Sequence, residues 1–163
     1  MEEGMGTGKV FKFRKCGTEY NIMTGVGFAF PSIYRETIED IKTGKYGEEL
    51  RDLFENDPGL AVDCETDLYV CECGNWTTEI NLDVYEPLNE DVKERYARYM
   101  YVTRDELKKD FKLVRHHELI CDKCGKKMKR IKHPESYAER YGLTCPECGE
   151  KNTAEKYAGI MWD

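Results

Sequence analysis

Apolar and basic side chains alternate along Lys9-Val10-Phe11-Lys12-Phe13-Arg14. That period of two predicts a β-strand, because successive side chains of a strand point to opposite faces. The strand runs into Cys16-Gly17. Gly25-Val26-Gly27-Phe28-Ala29-Phe30-Pro31 reads as an apolar, glycine-punctuated connection. Pro31 suits a helix entrance, where its missing N–H has no partner to lose. Ile33, Thr37, Ile38 and Ile41 then recur at helical spacing as far as Gly44. A second short helix is expected over 48–55, with Leu50, Leu53 and Phe54 turned inward. Asn56-Asp57-Pro58-Gly59 ends it with turn residues. Short strands follow at 60–62, 68–71 and 76–82.

Pro87 and Asn89 open a further expected helix with Val92, Tyr96 and Tyr99 in register. Thr103-Arg104-Asp105-Glu106 has the form of a capping box for a short helix carrying Leu107 and Phe111. A last helix is expected from Pro134 until Gly142 stops it. The pattern predicts an α+β protein made of short hairpins and short helices, in two ribbon-like halves. Its expected organisation is an acidic, glycine-rich flexible tail at 1–8, an α+β half with a helical insertion at 9–102, and a helix plus C-terminal hairpins at 103–163.

Of the 163 residues 40 % are hydrophobic and 35 % charged, which fits a folded, well-solvated chain. No stretch approaches a membrane span, and the start lacks the apolar core of a secretory signal. A cytoplasmic protein is therefore expected, with its eight cysteines reduced. The net charge of −7 is unevenly spread: residues 1–107 carry −11, residues 108–133 carry +7 and residues 134–163 carry −3.

The cysteines change the picture most. Cys121-Asp122-Lys123-Cys124-Gly125 is answered by Cys145-Pro146-Glu147-Cys148-Gly149. Two residues between cysteines let a tight turn aim both sulfurs one way, and the glycine supplies the positive φ the turn needs. Two such knuckles about twenty residues apart are the spacing of a four-thiolate Zn²⁺ site. Cys121, Cys124, Cys145 and Cys148 are therefore expected to share one metal. With no open coordination position, that metal would be structural.

Through these two motifs the last fifty or so residues resemble the zinc-ribbon group of folds. The resemblance implies short β-hairpins around Zn²⁺ and names no activity. The region from Phe11 through Trp76 looks like small uncharacterised bacterial zinc-ribbon proteins, with the same Gly-Val-Gly-Phe and Pro-before-helix pattern.

The first half repeats the cysteine theme imperfectly, with Cys16-Gly17 early and Cys71-Glu72-Cys73-Gly74 late. A regular knuckle would have cysteine where Phe13 stands, and one more residue between Cys71 and Cys73. Cys16, Cys71 and Cys73 are expected to form a second metal site, with Cys64, Asp63, Asp67 or a water as fourth ligand. The alternative is a relic whose thiols are merely buried. Cys-x-Cys on a strand differs from the Cys-x-x-Cys redox motif, which sits at a helix start.

No phosphate-cradling loop, nucleophile elbow or carboxylate pair is present, so binding is favoured over catalysis. The expected function is a zinc-binding, non-enzymatic adaptor or regulatory protein whose partner is another protein. One alternative is a nucleic-acid-binding regulator using Lys123, Lys126, Lys127, Lys129, Arg130 and Lys132. Those lysines could equally balance the thiolates or meet the acidic half. A third possibility is a thiol- or metal-handling protein using Cys16, Cys71 and Cys73. Tyr96, Tyr99 and Tyr101 offer either a partner-binding aromatic face or a half-buried helix face. His116, His117 and His133 are expected to be solvated or capping.

Overall fold

A computed structural model describes the backbone of residues 6–25, 30–98 and 101–162 and the side chains of 8–25, 30–98 and 101–156. In chain order it holds β1 (Gly6–Phe13), β2 (Glu19–Thr24), α1 (Phe30–Lys42), α2 (Glu48–Asn56), β3 (Ala61–Val62) and β4 (Thr66–Val70). Then come β5 (Trp76–Ile80), β6 (Val84–Pro87), α3 (Glu90–Tyr96), α4 (Arg104–Asp110), β7 (Phe111–Arg115) and β8 (Lys129–Ile131). The last are α5 (Pro134–Arg140), β9 (Leu143–Thr144), β10 (Lys151–Asn152) and β11 (Ala154–Trp162). This is the expected α+β class. Residues 6–8, expected in the tail, instead begin β1. Tyr99 and residues 26–29 of the expected apolar connection lie outside the described residues.

The chain folds as two compact units, and they are not the sequential halves 9–102 and 103–163. One unit takes Phe28–Glu65 and Asn81–His117; the other takes Met5–Gly27, Thr66–Ile80 and Glu118–Asp163. Strand pairing across the chain is the cause. The final strand β11 pairs along β1, from Gly6↔Trp162 to Phe13↔Ala154, and β8 pairs with β4 through Leu68↔Ile131 and Val70↔Lys129. Both of these strands thus pair with strands from much earlier in the chain. The basic stretch 108–133 is divided between the units in consequence.

In the first unit, which we call the helical unit, α1 buries Phe30, Tyr34, Thr37 and Ile41. Leu50 and Phe54 are the buried face of α2. The three-stranded antiparallel sheet runs β3-β6-β7. The Tyr34 hydroxyl accepts a hydrogen bond from the Val62 N–H at 3.3 Å, tying α1 to the sheet. Asn89 caps α3 by accepting from the Val92 N–H, whereas Pro87 closes strand β6 opposite Phe111. The expected capping box is present: Thr103 and Glu106 satisfy each other's backbone N–H at the start of α4. Leu107 lies on α4 as expected, but Phe111, expected on the same helix, instead opens β7; β6, at Val84-Tyr85-Glu86-Pro87, is too short and proline-ended for its pattern to mark it.

In the second unit, which we call the knuckle unit, sheets of order β11-β1-β2 and β5-β4-β8 accompany the β9-β10 hairpin. The alternation along β1 does what it predicts: Phe11 and Phe13 are both essentially fully buried. They share a core with Ile22, Leu68, Ile131, Leu143 and Ala138 of α5. Gly25 pairs with Thr66, linking the end of β2 to the start of β4. No described helix is long and apolar enough to cross a membrane.

Candidate metal centre

Among the described residues the knuckle unit holds four cysteine-bearing tight turns, and three of them share one hydrogen-bond pattern. The Gly125 N–H donates to the Cys121 carbonyl at 2.9 Å, and the Cys121 N–H to the Lys126 carbonyl at 2.8 Å. The Gly149 N–H donates to the Cys145 carbonyl at 2.8 Å, and the Cys145 N–H to the Glu150 carbonyl at 3.0 Å. The same pair joins Gly17 to Phe13 at 2.8 Å and Phe13 to Thr18 at 2.9 Å. The fourth turn, Cys71 to Gly74, is one residue shorter and closes at 3.0 Å. Gly17, Gly125 and Gly149 have φ of 70°, 77° and 74°, and a Cβ would meet no atom within 4 Å. Backbone conformation rather than space therefore calls for glycine here.

These turns pair from the outside in: the first faces the last, and the second faces the third. Cys71, Cys73, Cys121 and Cys124 form one group, and Cys16, Cys145 and Cys148 another, each with all sulfurs within 4.8 Å of one another. Seven cysteines are thus gathered, but not as the spacing suggests. Cys121 and Cys124 do not share a centre with Cys145 and Cys148, and Cys16 does not join Cys71 and Cys73. The pairing of β4 with β8 and of β1 with β11 overrides nearness in sequence.

In the four-cysteine group, Cys71 Sγ lies 3.3 Å from Cys124 Sγ, and Cys73 Sγ lies 3.8 Å from Cys121 Sγ. A tetrahedron with metal–sulfur bonds of about 2.3 Å has edges of roughly 3.8 Å, so this donor set fits one metal ion. Cys71 and Cys121 are buried, and Cys73 and Cys124 are exposed. The Asn75 side-chain amide donates to Cys121 Sγ at 3.4 Å. That bond, helped by the Cys124 N–H, pulls the Cys121 thiol down to about 6. The Cys73 N–H also favours a charged Cys71, but the Cys124 sulfur and burial outweigh it and push Cys71 up to about 12. Without a cation the four sulfurs cannot all carry charge; a metal ion removes that conflict.

In the three-cysteine group, Cys16 Sγ lies 3.6 Å from Cys145 Sγ. Burial opposes ionisation of Cys145, yet N–H groups of Cys148 and Glu147 bring it down to about 7. The Thr18 hydroxyl lies 3.2 Å from Cys16 Sγ. Sequence reasoning did not single out Thr18 or Asn75; each follows directly on a Cys-Gly pair, which is the signal that marks them.

Neither group includes Cys64, Asp63 or Asp67. Cys64 is buried in the helical unit, and burial together with the neighbouring Asp63 and Glu65 charges pushes its thiol up to about 12. Asp63 instead binds Arg104 at 2.7 Å. Asp67 faces Arg130 at 3.6 Å.

The basic run has partners of its own. Lys126 pairs with Glu72 at 3.3 Å and Lys127 with Glu118 at 2.9 Å. Lys123, Lys129 and Lys132 are exposed. The whole knuckle unit counts 13 Lys and Arg against 12 Asp and Glu, so no strongly positive unit results. Tyr96 donates to Glu106 and Asp110, and Tyr101 stacks edge-on against Phe30 at 5.2 Å, so these rings serve internal contacts. A groove of about 720 Å³ lies between the turns, bordered by Tyr20, Trp76, Gly74, Lys123 and Pro146.

Comparison of the chain with protein-family models, with curated proteins and with solved structures returns no match.

Proposed function

We propose that the knuckle unit is a two-site zinc module and that the chain is a non-catalytic binding protein of adaptor or regulatory type. The observation that carries this reading is the convergence of Cys71, Cys73, Cys121 and Cys124 from turns far apart in sequence. Soft thiolate donors in a tetrahedral set favour Zn²⁺ among the common divalent ions. Four protein ligands leave no position for a reacting water, so this first site would hold the two turns together. Its metal affinity would then be folding free energy for β4, β5 and β8.

A protein partner is supported by apolar side chains on an exposed strand. β7 is an edge of its sheet, and Leu113 and Val114 are 49 % and 41 % exposed on it. Edge strands with apolar side chains are natural places for another chain to add. Nucleic acid is the weaker reading, because Lys126, Lys127 and Arg130 already face carboxylates.

The test is native mass spectrometry of the full chain purified without added metal. Two zinc ions per chain are expected, both lost on acidification. A chain that carries none and still shows dispersed amide signals from β4 and β8 would overturn the reading.

A further inference from the structure

The two groups differ at one corner, and the difference lies in Phe13. Its turn has the same paired hydrogen bonds as those of Cys121 and Cys145. Phe13 therefore holds the place from which those turns each present their first sulfur. Its ring is 1 % exposed and belongs to the apolar core that also contains Cys145. Among the described residues the group gains no histidine, aspartate or glutamate in exchange. The adjacent Glu150 carboxylate pairs with Lys15 at 3.7 Å. What the group does have is the half-buried Thr18 hydroxyl, 3.2 Å from Cys16 Sγ. Cys16 and Cys148 are exposed, so this corner can be reached from solvent.

We infer that Cys16, Cys145 and Cys148 form a coordinatively open metal site, in which the Thr18 hydroxyl is a weak resident donor that an external thiolate displaces. The inference rests on the zinc reading of this group. Three thiolates on a divalent ion leave a net charge of about −1. Such a donor set already satisfies most of the ion's demand for charge, so the remaining position favours a soft sulfur ligand over hydroxide. An incoming thiolate would complete the same four-sulfur set that the companion site makes from its own chain. The exchange is not a redox step: the thiol gives its proton to solvent, its sulfur takes the fourth position, and the Thr18 oxygen leaves that position with its hydrogen retained. The four-cysteine site, already saturated, has nothing to exchange.

The test uses the full chain loaded with Co²⁺ in place of zinc, titrated with 2-mercaptoethanol and, separately, with a short peptide carrying one cysteine. Two cobalt ions per chain are expected. Thiol should raise the sulfur-to-cobalt absorption of one of them by roughly one-third, the step from three thiolates to four. Tighter response to the small thiol would indicate a free thiol as the natural ligand, and tighter response to the peptide a protein cysteine; both support thiolate capture. Phe13→Cys should abolish the response by supplying the fourth sulfur internally. Because that change also opens the core, Thr18→Val serves as a second variant: it should keep both metals and bind thiol several-fold more tightly. Two bound cobalt ions whose spectrum ignores thiol would overturn the inference and leave the two-site module standing. A single cobalt ion, unaffected by Cys148→Ser, would overturn both.

Discussion

Cys71 and Cys124 lie 53 positions apart in the chain, yet their sulfurs approach to 3.3 Å. Neither belongs to the other's sequence motif. Each is delivered by a turn next to a strand of one small sheet, β4 for Cys71 and β8 for Cys124, and the antiparallel register Val70↔Lys129 sets the approach. The paired knuckles of the C-terminal segment are thus split between two centres.

This split has a direct consequence for serine variants. Cys124→Ser should remove one metal and loosen β4, β5 and β8 while Cys16, Cys145 and Cys148 keep theirs. Cys148→Ser should remove the other metal and leave the first. On the zinc reading proposed above, losing the metal of the four-cysteine site should cost several kcal/mol, since apparent binding free energies of structural zinc sites run to about 10–16 kcal/mol. Metal counting by native mass spectrometry, with amide spectra to locate the damage, checks this. Both metals lost from either single variant would contradict independent centres.

Much of the secondary structure could be read from the chain because local rules act there undisturbed. Period-two alternation marked β1, helical spacing marked α1 and α2, and Thr103 with Glu106 marked the start of α4. The cysteines that gather could also be named. Which cysteine meets which could not, because a Cys-x-x-Cys-Gly turn is equally good at either centre. The choice is made by long-range pairing of β11 with β1 and of β8 with β4, and no local pattern encodes that. Phe13 is legible on both counts. Its alternation with Phe11 marks a core position, its spacing before Cys16-Gly17 marks the place a regular knuckle gives to cysteine, and the turn's hydrogen bonds agree with both. Strands β6 and β7 went unseen because they are short and acquire their pairing from distant residues.

The helical unit contains a nearly dry ion pair. Arg104 Nε lies 2.7 Å from Asp63 Oδ2, with the side chains 16 % and 5 % exposed, and Arg104 Nη1 lies 3.6 Å from Glu65. Arg104→Met would remove a counterion from the buried Asp63 charge. The expected loss is about 3 kcal/mol, because stranding one partner costs far more than the pair contributes. Asp63→Asn combined with Arg104→Met should recover part of it. Urea unfolding of the three variants measures both effects, and a loss under about 0.5 kcal/mol for Arg104→Met would show the pair to be effectively solvated.

Acid should weaken the helical unit through His117. Burial holds this imidazole below its ordinary value of about 6.5, and the adjacent Arg115 guanidinium, 3.1 Å from Nδ1, adds to the effect. Asp83 and Glu49 oppose the shift, and His116 reinforces it. The folded state therefore binds the proton less readily than the unfolded chain. Stability contributed by neutral His117 is fully present above about 6.5 and is lost as pH falls through the unfolded value toward the folded one. His117→Asn should flatten that dependence for β6, β7 and α4. Acid also protonates thiolates, so the comparison must follow amides of the helical unit in wild type and variant at about pH 5 and pH 7. An unchanged acid response in His117→Asn would assign the effect to other groups.

The basic residues after Cys121 separate a docking surface from a set of internal ion pairs. Lys126–Glu72 and Lys127–Glu118 are exposed pairs, of a kind that contributes at most about 1 kcal/mol. Arg130 differs, because the Asp67 side chain it faces is only 8 % exposed. Arg130→Glu would set two carboxylates together beside the β4-β8 pairing, whereas Lys126→Glu and Lys127→Glu would do so only in solvent. Thermal melts of the three single variants, all with metal bound, should therefore rank Arg130→Glu as clearly the least stable. A nucleic-acid surface predicts something else. The three reversals would then have comparable effects on binding, each flattening the salt dependence of a duplex complex by about 0.9. Tight, salt-sensitive binding of the wild type to DNA or RNA, weakened equally by all three reversals, would favour that surface. Unequal melts with no such binding fit a segment whose charges serve the fold of the knuckle unit.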